Sequence, residues 1–197
     1  MKIAVLGAGM VGRAIAEDLA ISFEVTSFDK SSESLALLAQ KAPSVKTEKL
    51  NLSESESYNK LLKPFDIVLT AVPGFMGFSI LKQVIAAGKN VVDISFSPED
   101  TLQLNMLAQE NNVTAIVDCG VAPGMSNLVL GRYNEEMKID NFECYVGGLP
   151  KIRKKPFEYK APFSPVDVIE EYTRPARLVE NGQIVTRAAL TEIELME

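Results

Sequence analysis

The sequence predicts an α/β fold, a doubly wound parallel sheet followed by the start of an α+β domain, on three observations. Short apolar runs alternate with helical patterns from the first residues to about position 120, at spacings that suit strand–helix–strand units. One of those runs, Asp66-Ile-Val-Leu-Thr-Ala-Val72, is apolar almost throughout, as a central strand buried on both faces must be. Beyond residue 120 the pattern changes to helix, strand, helix and hairpin. The expected division is therefore residues 1–120 and residues 121–197.

The first run, Lys2-Ile-Ala-Val-Leu-Gly-Ala-Gly-Met-Val-Gly12, organises the rest. Ile3 to Leu6 read as a short buried strand, and a helical pattern follows with Val11, Ile15 and Leu19 on one face. Between them Gly7, Ala8, Gly9, Met10, Val11 and Gly12 give G-x-G-x-x-G spacing. Each glycine has a mechanical task. Gly7 makes the tight turn, Gly9 lets backbone approach a pyrophosphate, and Gly12 lets helix and strand pack closely. The helix N-terminus then offers unpaired N–H groups and the positive end of its dipole to phosphates. A glycine pattern alone is weak evidence. Here a strand precedes it, a helix follows it, and Asp29 closes the second apolar run Phe23–Phe28 at the distance of a ribose-binding acid. A carboxylate there accepts the adenosine ribose hydroxyls and repels a 2′-phosphate, so NAD is the expected cofactor and NADP the alternative. These features make residues 1–120 a Rossmann-type domain; the competing reading is a glycine turn beside a surface aspartate.

The remaining elements follow in order. The first helix runs to about Leu19, a strand covers Glu24–Phe28, and Ser31–Gln40 is helical with Leu35, Leu38 and Ala39 on one face. Val45–Leu50 makes a third strand, and a polar helix over about Glu54–Leu62 leads to Pro64. The Asp66–Val72 strand ends in Val72-Pro73-Gly74 at the carboxyl edge of the sheet, where ligands of open α/β sheets bind. Phe78–Ala87 is a helix stopped by Gly88, and Asn90–Ile94 is the fifth strand. Ser97-Pro98-Glu99-Asp100 reads as a helix start, with Ser97 as N-cap and Pro98 at the first helical position. That helix ends near Asn111-Asn112, and Val113–Asp118 is the sixth strand. Ser126–Met137 is then helical, Asn141–Gly147 alternates like a strand, and residues 148–162 are rich in Pro, Lys and aromatics. Ser164 opens a helix to about Tyr172. Arg177–Glu180 and Gln183–Ala189 flank Asn181-Gly182, which suits a type I′ hairpin turn. The last residues, Leu190–Glu197, carry no capping signal, so the second domain reads as truncated.

Composition narrows the partners. With 197 residues, 47% of them hydrophobic, and a net charge of −6, the chain is a globular protein and neither nucleic acid nor an anionic membrane is its expected main partner. No apolar run reaches the length of a membrane span, and a cytoplasmic location is expected. Cys119 and Cys144 offer neither metal-ligand spacing nor a disulfide framework, so no metal is expected. The sequence holds no histidine, which leaves proton transfer to Asp, Glu, Lys, Tyr or Cys.

Two later segments, Asp118-Cys-Gly-Val-Ala-Pro-Gly-Met-Ser-Asn127 and Tyr145-Val-Gly-Gly-Leu-Pro150, sharpen this reading. With the N-terminal glycine loop they resemble the saccharopine dehydrogenase-like family, which includes the saccharopine reductases and lysine 6-dehydrogenases. The stretch from Pro156 to Ser164 and on through Arg174 to Gly182 is similar to the lysine 6-dehydrogenase-like branch. The resemblance covers essentially the whole sequence. It implies NAD(P)-linked oxidation of a carbon bearing an amine, or the reverse reduction of an imine, on a small-molecule amino-acid substrate. It also implies that the Val72-Pro73 backbone flanks the nicotinamide ribose. Two departures stand out. Saccharopine reductases commonly show Asp-Pro-Gly where this sequence has Ala122-Pro123-Gly124, which removes an acidic contact to substrate. Family members also run well beyond residue 197.

Candidate chemistry lies at the carboxyl ends of strands four to six, at Val72-Pro73, Asp93 to Phe96 and Asp118-Cys119. Asp118 is the candidate to steady a cationic amine or take a proton; capping a turn is its other reading. Cys119 is the candidate to line the pocket, against the ordinary role of a small buried residue. Gly124, Met125 and Asn127 start a helix whose N–H groups suit a substrate carboxylate, against plain capping by Ser126 or Asn127. Gly147-Gly148 either admits a ligand to the backbone or ends a strand. The basic run Lys151–Lys155 reads as a solvated loop rather than an anion site. Arg174 and Arg177 are candidates for a carboxylate fork, with surface ion pairs as the default. The leading function is an NAD(P)-dependent oxidoreductase acting on an amino acid. The alternatives are a nucleotide-sensing regulatory domain and a fragment that binds cofactor without turnover. A homo-oligomer is expected, because the hairpin near the end leaves strand edges unpaired.

Overall fold

A computed structural model describes residues 1–54, 57–147, 150–156, 158–161 and 163–191. The chain divides into two compact units, residues 1–147 and 148–197. In the first, strands β1 (Lys2–Leu6), β2 (Glu24–Asp29), β3 (Lys46–Lys49), β4 (Ile67–Thr70), β5 (Asn90–Asp93) and β6 (Ala115–Ile116) pair in parallel. Their order is β3-β2-β1-β4-β5-β6. The winding direction reverses between β1 and β4, and such a reversal opens a crevice at the carboxyl ends of those two strands. This is the doubly wound sheet that the sequence predicts.

The core follows from the two-residue period of β1. Ile3 and Val5 pack with Ala16 of helix α1 (Met10–Leu19) and Leu38 of helix α2 (Ser32–Lys41). On the other face Ala4 and Leu6 pack with Leu62 of α3 (Tyr58–Leu62) and Ile80, Leu81 and Val84 of α4 (Gly74–Ala86). Because both faces are covered, four consecutive residues of β1 are buried. Phe28 and Phe65 meet edge to face with ring centroids 5.8 Å apart. Tyr58 is buried and donates its hydroxyl to the Leu52 carbonyl at 2.9 Å. That burial pushes its pKa up to about 12.

Several boundaries differ from the sequence reading. Helix α4 begins at Gly74, four residues before Phe78, directly after Pro73. Gly77 lies inside this helix, and a Cβ on it would lie 2.5 Å from the Ser95 Cβ. It is glycine so that the helix can sit close to the sheet edge. The element after β5 is a 3₁₀ turn, Thr101–Leu104, running into α5 (Asn105–Glu110). Its cap is the Asp100 carboxylate, which accepts from the Leu102 N–H at 3.1 Å, so Ser97 is not the cap. The Ser97 N–H instead donates to the Ser95 carbonyl at 3.0 Å in a turn before it. Helix α3 is shorter than Glu54–Leu62 because Ser57 caps it, its hydroxyl accepting from the Lys60 N–H at 3.3 Å. Helix α6 (Met125–Asn134) forms, but Asn141–Gly147 is not a strand. Alternation there has no neighbouring strand among the described residues to complete a ladder.

The second unit carries helix α7 (Pro165–Thr173) and an antiparallel pair, β7 (Ala176–Glu180) and β8 (Gln183–Arg187). Pro165 occupies the first turn of α7, where its missing N–H costs nothing. Asn181 and Gly182 have φ of 49° and 76°, the two left-handed residues a type I′ turn requires. Arg174 pairs with Glu170, and Arg187 with Glu180 at 2.5 Å.

Candidate functional site

The glycine loop lies at the carboxyl end of β1, beside the end of β4. Gly7 has φ of 107°, a left-handed conformation that L side chains avoid, and its N–H donates to the Phe28 carbonyl at 2.8 Å. A Cβ on Gly7 would overlap the Ala71 carbonyl and sit 3.5 Å from Val72 Cγ1. Residues 71 and 72 are thus in contact with the loop; Val72 is buried and Pro73 precedes α4. A Cβ on Gly12 would overlap the Gly7 carbonyl oxygen. Gly9 is different. It is exposed, and a Cβ there would meet nothing within 4 Å. Its backbone is open to a ligand, not pressed on its own chain.

The donors match that opening. The first bond of α1 runs from the Arg13 N–H to the Gly9 carbonyl at 3.0 Å, so the N–H groups of Met10, Val11 and Gly12 find no acceptor among the described residues. Ala8 is buried, and its N–H donates to Asp29 Oδ2 at 2.7 Å. The Ser31 N–H donates to Asp29 Oδ1, also at 2.7 Å. Asp29 therefore braces the loop from the end of β2. Each carboxylate oxygen has a second lone pair for a hydroxyl donor. An open backbone at Gly9, three unpaired N–H groups and a carboxylate at the end of β2 fit a dinucleotide pyrophosphate and its ribose.

A second polar group occupies the carboxyl ends of β4, β5 and β6. Asp93 is fully buried, and its Oδ1 accepts from the Thr70 hydroxyl, from the Ser95 hydroxyl at 2.7 Å and from the Ser95 N–H at 3.1 Å. Its Oδ2 is buried with no hydrogen-bond partner among the described residues. Burial pushes the Asp93 carboxyl above the ordinary carboxylate range; the Thr70 and Ser95 hydrogen bonds oppose this, and the Asp118 charge adds to it. The Cys119 N–H donates to the Asp93 backbone carbonyl at 3.1 Å. Burial, then the charges of Asp93 and Asp118, push the Cys119 thiol up, so it is held as a thiol rather than a thiolate. Asp118 is exposed with φ of 56°, and its carboxylate accepts no hydrogen bond among the described residues. Turn capping is thus not its role here.

The start of α6 is built from its own loop. The Gly124 N–H donates to Asn127 Oδ1 at 3.2 Å, the Met125 N–H to the Gly120 carbonyl at 2.9 Å, and the Ser126 N–H to the Val121 carbonyl at 3.1 Å. This corrects part of the sequence reading. The backbone donors of Gly124 and Met125 are committed inside the loop and do not stand open for a carboxylate, which leaves the exposed Asn127. The other candidates are placed as follows. A Cβ on Gly147 would meet nothing within 4 Å, so its backbone is open on that side. Gly148 lies outside the described residues. Lys151–Lys155 are exposed.

Residues 3–116, more than half of the chain, match the family model described as the saccharopine dehydrogenase NADP binding domain. The chain belongs to the saccharopine dehydrogenase family. Residues 120–196 match the saccharopine dehydrogenase C-terminal domain. Against the alpha-aminoadipic semialdehyde synthase of Arabidopsis thaliana the chain is 27% identical over 148 residues, which cover 72% of the chain and 14% of that protein. Against the saccharopine dehydrogenase (NADP(+), L-glutamate-forming) of Saccharomyces cerevisiae it is 24% identical, over 94% of the chain and 43% of the relative. An apo structure of saccharopine dehydrogenase (L-Glu forming) from that yeast superposes with a TM-score of 0.74 at 23% identity, covering 95% of this chain and 44% of the other. That likeness establishes the shared fold. The chain spans less than half the length of these relatives.

Sequence reasoning misses two features of this family member. One is the set of hydroxyls, Thr70 and Ser95, that gather on Asp93; only a parallel register placing Thr70 opposite Asp93 brings them together. The other is Arg13, whose guanidinium reaches back from α1 to the Ala8 carbonyl at 3.2 Å.

Proposed function

We propose that this member of the family belongs to an NAD(P)-dependent oxidoreductase that acts on the CH–NH or CH–NH2 group of an amino acid. The observation that carries the reading is the opening at Gly9 with the unpaired N–H groups behind it, in a chain whose two parts match the two saccharopine dehydrogenase domains. When bound, the nicotinamide supplies the hydride chemistry. Gly7, Ala8, Gly9, Met10, Val11 and Gly12 would cradle the pyrophosphate, Asp29 the adenosine ribose, and Val72 and Pro73 the nicotinamide side. Asp118 would steady a cationic amine, Cys119 would line the pocket as a neutral thiol, and Asn127 would lead the substrate contacts from the loop at Gly124 and Met125. A domain boundary near residue 120 is part of the proposal.

NAD is proposed as the preferred dinucleotide because the Asp29 carboxylate would face a 2′-phosphate. Titrating NADH and NADPH by fluorescence tests this, and Asp29→Ser should narrow the gap; tighter binding of NADPH by the unmodified chain refutes the preference. Turnover is read from nicotinamide absorbance with saccharopine, L-lysine and related amino acids, on this chain and on a family-length chain. Absence of amine-dependent reduction in both would sink the enzymatic reading. A nucleotide-sensing domain is the weaker reading, because residues 120–196 match a dehydrogenase domain. Self-association through the open edges of the β7–β8 pair is also proposed, with sedimentation as its test. A cytoplasmic location is also proposed, and cell fractionation decides between it and the mitochondrial location carried in the names of three animal relatives.

A further inference from the structure

Two charged side chains grip opposite ends of one residue in the glycine loop. The Ala8 N–H is held by Asp29 Oδ2 at 2.7 Å, and the Ala8 carbonyl accepts from Arg13 Nη1 at 3.2 Å. The N and O atoms of a single residue lie about 3 Å apart, so the carboxylate and guanidinium heads are within about 9 Å of each other. A ribose with its substituents spans most of that gap.

Arg13 reaches this place for a reason visible in the helix. It is the fourth residue of α1, and helical side chains lean toward the N-terminus, which carries a long one back over the preceding loop. Its natural partner on the helix surface would be Glu17, one turn on. Glu17 pairs instead with Lys41 at 2.9 Å. Among the described residues no carboxylate lies within ion-pair distance of Arg13, whereas Lys41, Arg132, Lys138, Arg174 and Arg187 each have one. Arg13 is thus a half-buried guanidinium turned toward the glycine loop with its charge not met by a carboxylate. One of its five donors is used on Ala8, and the planar fork that remains matches the geometry of a phosphate.

We propose that Arg13 receives the 2′-phosphate of NADP, so that one site takes both dinucleotides, Asp29 serving the 2′-hydroxyl of NAD and Arg13 the phosphate that replaces it. This deepens the cofactor reading given above and rests on it. It also reconciles Asp29, which by itself opposes NADP, with membership of a family whose model is that of an NADP binding domain. The two residues act in opposite directions on one ratio. Asp29 lowers NADP affinity by like charge, and Arg13 restores part of it.

The test uses Arg13→Gln, which removes the charge and the guanidinium fork, together with Lys30→Gln at the neighbouring exposed cation. Binding of NADH and NADPH is followed by fluorescence, and binding of adenosine 2′,5′-bisphosphate and adenosine 5′-monophosphate by calorimetry, with circular dichroism to confirm the fold. Arg13→Gln should weaken NADPH and the 2′,5′-bisphosphate by about ten-fold or more, as removal of a charge-assisted hydrogen bond does, while NADH and the monophosphate change less than about two-fold. Equal weakening of both dinucleotides would place Arg13 on the pyrophosphate or on the loop itself and overturn the proposal. Loss of NADPH selectivity in Lys30→Gln but not in Arg13→Gln would overturn it too. If the unmodified chain binds neither dinucleotide, the cofactor reading fails first and this proposal falls with it.

Discussion

Two loops of the first unit share one plan and differ in what their glycines are for. Each joins a strand to a ten-residue helix through a glycine at the N-cap, Gly9 before α1 and Gly124 before α6. At Gly9 a side chain would meet open space, and the N–H groups behind it have no acceptor among the described residues. At Gly124, with φ of 135°, a Cβ would overlap the Gly120 carbonyl oxygen, and the next two N–H groups are bonded to loop carbonyls. Helix α1 buries Gly12 and Ala16, whereas α6 buries no residue. A glycine pressed on its own chain serves the fold; a glycine facing space beside unpaired donors leaves room for a ligand. The spacing of glycines in the sequence does not separate these cases, and the backbone does.

The largest effects should come from glycines of the first kind inside the core. Gly12→Ala forces a methyl group into the Gly7 carbonyl, where backbone on both sides prevents relief. It should destabilise the first unit by more than about 3 kcal/mol, read from chemical denaturation. A variant of native stability would mean that the loop relaxes and that Gly12 is not held by packing. Gly9→Val should do the reverse. Its thermal midpoint should stay within about 3 °C of the parent, because nothing lies near the new side chain, while NADH affinity falls by at least about a hundred-fold. Unchanged NADH affinity by calorimetry would remove the phosphate-loop assignment.

The same rule gives a smaller effect in the second loop. Gly124→Ala collides with Gly120 and requires a left-handed backbone, so residues 118–127 must rearrange. Because α6 contributes no buried residue, the loss should remain local. Hydrogen exchange should speed up at Met125 and Ser126, whose N–H groups lose their loop acceptors, with NADH affinity and the β1–β4 core unchanged. Faster exchange spreading into β1 would show that the two loops are coupled, and the contrast between them would fail.

Much of this was legible beforehand, and the reasons are local. Gly7, Gly9, Gly12 and Asp29 are tied together by spacing along one strand–turn–helix unit, and Asn181-Gly182 specifies its own turn. What the sequence hides depends on neighbours distant in the chain. The close packing at Gly77 shows only once Ser95 is seen against it. Asn141–Gly147 alternates like a strand but has no partner to pair with among the described residues. Asp100 and Ser97 are both good caps by composition, and only the backbone path selects Asp100. Arg13 carries a weak signal, a cation at the fourth position of a helix that follows a phosphate loop. Its meaning depends on Lys41 having taken Glu17.

The smallest expected effect concerns Asp93, beside the second loop, and its sign can be worked out. Its buried carboxyl has a raised pKa, so the folded chain holds that proton more tightly than the unfolded chain. The stabilisation is therefore fully present below the unfolded pKa and is lost as pH rises through the folded value. Stability should fall as pH climbs above the ordinary carboxylate range. Asp93→Asn imitates the protonated state: its carbonyl still accepts from Thr70 and Ser95, and its amide replaces the O–H at the partnerless Oδ2 position. Denaturation midpoints of parent and variant should agree near pH 4 and diverge toward pH 8, with the variant higher. Asp118→Asn should reduce the parent's slope slightly, because Asp118 adds its charge to the same site. Cys119 titrates above this window, its thiol being pushed up as well, and does not confuse the reading. Parallel pH profiles for Asp93→Asn and the parent would mean that water reaches the carboxylate, and that the pocket beside the second loop is as open as the cleft beside the first.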